Sequence, residues 1–201
     1  MFGDHDDPVG TVFRDMIMLA LAGFVAVVVI VLPFVNPPGE DASGEVDAPG
    51  NVIVEISWPD ELDTDVDLWV QAPGDVPVGY SNKGGLIFNL LRDDLGHNAD
   101  VSGRNYEMSY SRGIPPGEYT VNLHLYRNVS GVYPVPVRVV VSVKNDARGS
   151  ARQILYADTE LKFQGQELTV FRFELDENAR LVPGSVHSLY KPLRTPAGGI
   201  Q

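Results

Sequence analysis

The sequence predicts an all-β protein, an antiparallel β-sandwich domain preceded by a single N-terminal transmembrane helix. One observation is an uncharged apolar run from Met16 to Val35. A second is a series of short strand-like runs after residue 50, separated by turns rich in Pro and Gly. A third is that no long helical pattern follows residue 36. The predicted divisions are a cytoplasmic tail (1–11), a transmembrane helix (12–35), a linker (36–50), a β-sandwich domain (51–182) and a flexible C-terminal tail (183–201).

The apolar run reads MIMLALAGFVAVVVIVLPFV, and Pro33 lies near its end, where a helix can stop. Twenty residues in a helix span about 30 Å, the thickness of the hydrocarbon core of a bilayer. A cleaved signal peptide is the main alternative, but the preceding segment is acidic and no small-residue cleavage site follows. Arg14 precedes the run and the next Lys or Arg is Lys83, so the N-terminus is expected in the cytoplasm.

The linker reads NPPGEDASGEVDAPG, a composition typical of an exposed tether. Six runs beyond it alternate or are rich in β-branched residues: 51–58, 66–71, 118–127, 135–143, 153–163 and 167–175. The fourth is expected to be a central strand, and the last two a hairpin around Gln164-Gly165-Gln166. Six to nine strands at this spacing are typical of a sandwich. Trp58 and Trp69 are expected in its core.

Charge and motif content exclude several functions. The net charge of -12 disfavours nucleic acid, which binds clustered Lys and Arg, and also disfavours a polybasic contact with anionic lipid. Without Cys there are no disulfides and no Cys-based zinc sites. The four His residues show no metal-ligand spacing, and no nucleophile or phosphate-loop motif is present. The chain is therefore not expected to be an enzyme.

Asp15 stands at the start of the apolar run. A helix that begins near Thr11 would carry its carboxylate into the membrane. An ionisable side chain costs about 2.5–3.5 kcal/mol at the centre of such a helix and less near an end. The alternative is that Asp15 lies at the interface or pairs with Arg14.

The segment FRDMIMLALAGFVAVVVIVLPFVNPP resembles the membrane segment of the ExbD, TolR and MotB family. The shared pattern is an Asp followed by Met or Ile, a Leu-rich run, a Phe about nine residues on and a Pro at the exit. These positions are Asp15, Met16, Leu19, Leu21, Phe24 and Pro33. The resemblance covers about 25 of the 201 residues.

This resemblance implies a subunit of an ion-driven motor in the bacterial inner membrane, with Asp15 as the proton or sodium acceptor. It implies two copies of the helix inside a pentamer of a polytopic MotA- or ExbB-like partner. Small residues at Ala20, Gly23 and Ala26 agree with such a homodimer. The β domain would be periplasmic, but it matches neither the peptidoglycan-binding domain of MotB nor the small α/β domain of ExbD. Its ligand therefore stays open, and the alternative is a membrane-anchored binding module without ion transport.

Acidic residues also gather in the predicted β domain. Asp63, Asp65 and Asp67 alternate, so an extended chain would point all three to one side. With Asp93 and Asp94 from another loop, they are weak candidates for a calcium site. The segment is not an EF-hand, because that loop's Gly and Glu positions are Leu68 and Gly74. The sequence alone favours the simpler interpretation of a solvated strand edge with turn-forming Asp residues.

Overall fold

The computed structural model describes residues 8–35, 50–96, 103–144 and 150–194, with the side chains of the N-terminal helix described from residue 12 to 28. The chain divides into two compact units, Met1–Glu45 and Val46–Gln201. The predicted linker lies outside the described residues up to position 49, as do residues 1–7 of the predicted tail.

The first unit contains one helix, α1, which runs from Pro8 to Val35. It begins four residues before the predicted start, at a Pro whose fixed φ and missing N–H suit the first position of a helix. Every described side chain from residue 12 to 28 is exposed. Within the described residues, no helix combines the length and apolar character needed to cross a membrane. The transmembrane segment therefore stays a prediction.

The second unit contains eight strands: β1 (Val52–Ser57), β2 (Thr64–Gln71), β3 (Phe88–Arg92), β4 (Tyr106–Ser111), β5 (Gly117–Asn128), β6 (Val135–Val143), β7 (Arg152–Leu161) and β8 (Glu167–Leu175). The larger sheet has the order β3-β4-β1-β6-β7 and the smaller sheet the order β2-β5-β8. All neighbouring strands are antiparallel. The prediction of an all-β domain is confirmed, and β6 occupies the expected interior position.

The two sheets share one apolar core. In β6, Val135, Val137, Val139 and Val141 are buried, whereas the alternate residue Arg138 is exposed, as expected of a strand with one face on a core. β5 of the smaller sheet contributes fully buried apolar side chains to the same core. Trp58 lies in this core, as predicted, whereas Trp69, also 4% exposed, lies outside the core cluster and packs against Tyr80 on the other face of β2.

The predicted hairpin of the last two runs is wrong. β7 pairs with β6 in the larger sheet, whereas β8 pairs with β5 in the smaller sheet. The Gln164–Gln166 turn thus joins two layers, and it contacts β5 through hydrogen bonds to Leu125. A short turn between two runs does not distinguish a hairpin from a change of sheet.

The segment after β8 packs on the smaller sheet, where a loosely held tail was expected. His187 and Arg172 exchange backbone hydrogen bonds at 2.7 and 2.9 Å. The Lys191 amide donates to the Thr169 hydroxyl at 3.0 Å, and Leu193 is only 3% exposed. Residues 195–201 lie outside the described residues.

Candidate functional site

Asp15, the ion carrier implied by the resemblance, is the eighth residue of α1 and is exposed. It is the one acidic residue in the helix. At 1.5 Å per residue it lies roughly 10 Å along the axis from Pro8, about two turns inside the helix. The helix therefore continues past this carboxylate on both sides, as the sequence-based argument for Asp15 required.

A second acidic site lies in the β domain, where three chain segments meet. Strand β2 supplies Asp65 and Asp67, the residue after β3 is Asp93, and β4 supplies Glu107. One carboxylate oxygen each from Asp67, Asp93 and Glu107 lies within 4.8 Å of the other two. We call the four residues the acidic cluster.

Glu107 links the two sheets at this point. Its Oε2 accepts the backbone N–H of Leu68 on β2 at 2.7 Å, and its Oε1 accepts the N–H of Asp94 at 3.0 Å. β2 is an edge strand of the smaller sheet, so the side chain satisfies an amide on the strand's free edge. Glu107 is only 1% exposed, and burial raises its pKa well above the ordinary value, partly opposed by the Leu68 N–H.

The two Asp residues of β2 are also buried, each 3% exposed. Burial raises the pKa of Asp65 to about 7, with a further increase from the charge of Asp67. Burial also raises the pKa of Asp67, and a hydrogen bond from His124 partly offsets that effect. The interpretation of Asp65 and Asp67 as solvated edge residues is therefore wrong.

His124 on β5 contacts the Asp67 carboxylate. Its Nδ1 lies 2.7 Å from Asp67 Oδ2, and its Nε2 lies 2.7 Å from Arg194 Nη1. A guanidinium can only donate, so Nε2 must be the unprotonated acceptor. The proton is then on Nδ1, which donates to Asp67, and the ring is neutral. Arg194 thus fixes the tautomer of His124 and the orientation of the Asp67 carboxylate.

Two of the five sequence-derived calcium candidates have other roles. Asp94 accepts hydrogen bonds from the amides of Gly96 and Tyr106 and from Arg92, and its side chain is 1% exposed. Asp63 has a side chain that is 29% exposed, 3.8 Å from Arg127. The structure instead places Glu107 beside Asp67 and Asp93.

Sequence reasoning missed Glu107 and His124 for different reasons. Glu107 lies in YEMSYS, a polar run that was not recognised as strand β4. His124 lies in the recognised strand β5, two residues from Tyr126 and opposite Asp67 in the register. A search for polar residues on buried positions of paired strands could have found the His124–Asp67 contact.

Neither the protein-family models nor the curated proteins compared with this sequence contain a match. Among solved structures, the chain is similar to one described as "Crystal structure of unknown function protein SAV2460". The two are 17% identical, with a TM-score of 0.40, over 70% of this chain and 91% of the other. At this TM-score the likeness carries no argument about fold or function.

Proposed function

We propose that this chain is a B-type subunit of an ion-driven motor in a bacterial inner membrane, in which Asp15 binds the proton or sodium ion. The observation that carries the proposal is the one carboxylate of a mostly apolar helix of 28 residues, about two turns inside it and next to Arg14. A carboxylate in such a position is a candidate for ion transport because its charged form is costly in lipid. The resemblance of the surrounding helix to the ExbD, TolR and MotB family supports the same role.

The exposed surface of α1 supports a membrane environment in this proposal. Its described large apolar side chains, among them Phe13, Leu19 and Phe24, are all at least 40% exposed. A contiguous apolar surface of this kind is unfavourable in water and is expected to contact lipid or other helices. In the proposal these contacts come from the bilayer, a second copy of the chain and a pentameric polytopic partner. The N-terminus is cytoplasmic, and the β domain transmits force or binds a periplasmic partner.

The experiment is purification of the full chain from its native membrane in mild detergent, followed by ion-flux measurement on reconstituted vesicles. We expect a polytopic membrane protein to co-purify with two copies of this chain. Asp15→Asn keeps the size of the side chain but cannot exchange a proton at neutral pH, so flux is lost while assembly persists. Asp158→Asn, which changes an exposed carboxylate on β7, is the matched control and keeps the flux.

A second candidate is a membrane-anchored β-sandwich binding module without ion transport. The acidic cluster favours it, because these buried carboxylates all belong to the β domain. In this case no polytopic protein co-purifies, and Asp15→Asn leaves every activity of the chain unchanged. That result would overturn the motor proposal.

A further inference from the structure

The acidic cluster concentrates negative charge where few positive charges balance it. The nearby positive charges are Lys83, whose Nζ lies 2.8 Å from Asp93 Oδ2, Arg127, which lowers the pKa of Asp65, and Arg194, which lowers the pKa of Asp67. The Lys83 side chain is 61% exposed, so solvent weakens its contribution. When all four carboxylates are ionised, their negative charge exceeds the positive charge of these three described side chains, and carboxylates this close repel one another.

A separate observation concerns unsatisfied oxygen atoms. Asp65 is only 3% exposed, yet its Oδ1 has no hydrogen-bond partner among the described residues. Val66 and Leu68 belong to the apolar core, so alternation along β2 puts Asp65 on the opposite face, together with Asp67. Asp93 Oδ1 is likewise buried without a described partner. A buried carboxylate oxygen without a donor is costly, and a bound cation would satisfy it.

We propose that Asp65, Asp67, Asp93 and Glu107 form a calcium-binding site. Oxygen ligands lie 2.3–2.6 Å from calcium, so two on opposite sides of the ion are about 4.6–5.2 Å apart. The oxygens of Asp67, Asp93 and Glu107, all within 4.8 Å of one another, fit around one such ion. The proposal does not depend on the motor function, because its residues all belong to the β domain.

The chemistry of the donors selects calcium over other common metals. All four side chains offer oxygen, which favours hard cations over zinc or copper. The nearby imidazole of His124 is committed to Asp67 and Arg194, so it orients a ligand without being one. Magnesium is usually bound through only one or two carboxylates and keeps several waters, whereas calcium accepts more carboxylates in a flexible geometry.

The test uses the full chain in detergent, stripped with a chelator and then titrated with calcium chloride. Trp58 and Trp69 are the two tryptophans of the chain, so tryptophan fluorescence reports thermal unfolding of the β domain. We expect a saturable rise of the unfolding midpoint and, by equilibrium dialysis with radioactive calcium, one ion per chain. No saturable binding at millimolar calcium would overturn the proposal. Equal stabilisation by magnesium chloride at the same concentrations would overturn the assignment to calcium.

Variants locate the ion. We expect Asp65→Asn to weaken calcium binding at least tenfold and, in the presence of chelator, to unfold at the same or a higher temperature than the wild type. That second effect follows because Asn removes a buried charge that lacks a partner. Asp93→Asn, at a side chain that is 16% exposed, gives the same loss of binding if Asp65→Asn does not fold. Asp158→Asn, at a side chain that is 63% exposed on β7, is the control, and an equal loss there would show non-specific binding and overturn the proposal.

Discussion

Replacement of Glu107 tests whether one side chain holds the two sheets together beside the acidic cluster. Glu107 accepts two backbone amides, one on each side of the site, at 2.7 and 3.0 Å. An amide left without an acceptor in the interior costs about 1–3 kcal/mol. In Glu107→Gln the side-chain oxygen accepts one backbone N–H, but the NH₂ group, which cannot accept, faces the other. The free energy of unfolding is therefore expected to fall by about 1–3 kcal/mol.

Glu107→Ala removes both acceptors and leaves a void, so the expected loss is larger, roughly 2–6 kcal/mol from two unsatisfied amides. The assay is urea unfolding of the full chain in detergent and chelator, followed by tryptophan fluorescence. The chelator excludes any contribution of a bound cation to the difference. Glu174→Gln, which changes an exposed carboxylate on β8, is the matched control and is expected to shift stability by less than about 0.5 kcal/mol.

A Glu107→Gln protein as stable as the Glu174→Gln control would refute this reasoning. It would mean that the two amides find other acceptors, and that Glu107 does not connect β4 to the edge of β2. A large loss for Glu107→Ala with none for Glu107→Gln would assign the effect to packing instead of hydrogen bonding.

Three further predictions concern other parts of the β domain. Asp75 is 8% exposed, and although burial alone would raise its pKa, three backbone N–H donors hold that pKa below the ordinary value. The ionised Asp75 carboxylate therefore stabilises the folded domain above its unfolded pKa of about 3.9, and this contribution is lost as pH falls through the folded pKa. In urea unfolding, Asp75→Asn should destabilise the domain at pH 7 but differ little from the wild type in strong acid. Gly79→Ala should cost about 1–3 kcal/mol in the same assay and change the tryptophan emission, because a Cβ there would clash with the Trp69 ring. Wild-type stability and emission would contradict this. Arg194→Met should weaken calcium binding about 10- to 100-fold by freeing the tautomer of His124, and unchanged affinity in dialysis would show that this contact does not orient Asp67.

The parts of the fold that could be predicted are those with strong periodic patterns. β5 and β6 were recognisable because apolar residues recur at every second position and pack on one core. β3 and β4 were not, because FNLLR is short and YEMSYS is mostly polar. Polar side chains of β4 such as Glu107 and Ser111 make long-range contacts that local patterns do not encode. Glu107, for example, meets its partner amide on Leu68 across 39 positions of sequence.

In the candidate site, too, the features set by local sequence could be predicted and those set by long-range contacts could not. The sequence indicated a group of Asp residues around Asp65, since alternation along one strand is a local property. Which carboxylates converge depends on the sheet order, which places β4 beside β3 and against the edge of β2. Asp94 could not be separated from Asp93 by sequence, because adjacent residues of the same type differ only in the direction that their side chains take. The assignment of Asp15 rests on its neighbours along one helix and stays a prediction.

The entry point of the β domain has a mechanical consequence. The chain that precedes the domain leads into β1, which lies between β4 and β6 inside the larger sheet. Asn51, the residue just before β1, donates its backbone N–H to Ser111 O at 3.0 Å and its side-chain amide to Lys144 O at 2.9 Å. Its carbonyl accepts the Lys144 N–H at 2.7 Å. Tension applied through the preceding chain would therefore load a strand that is bonded on both flanks. A terminal strand at the sheet edge would peel away from one neighbour, whereas extraction of β1 requires two ladders to rupture together.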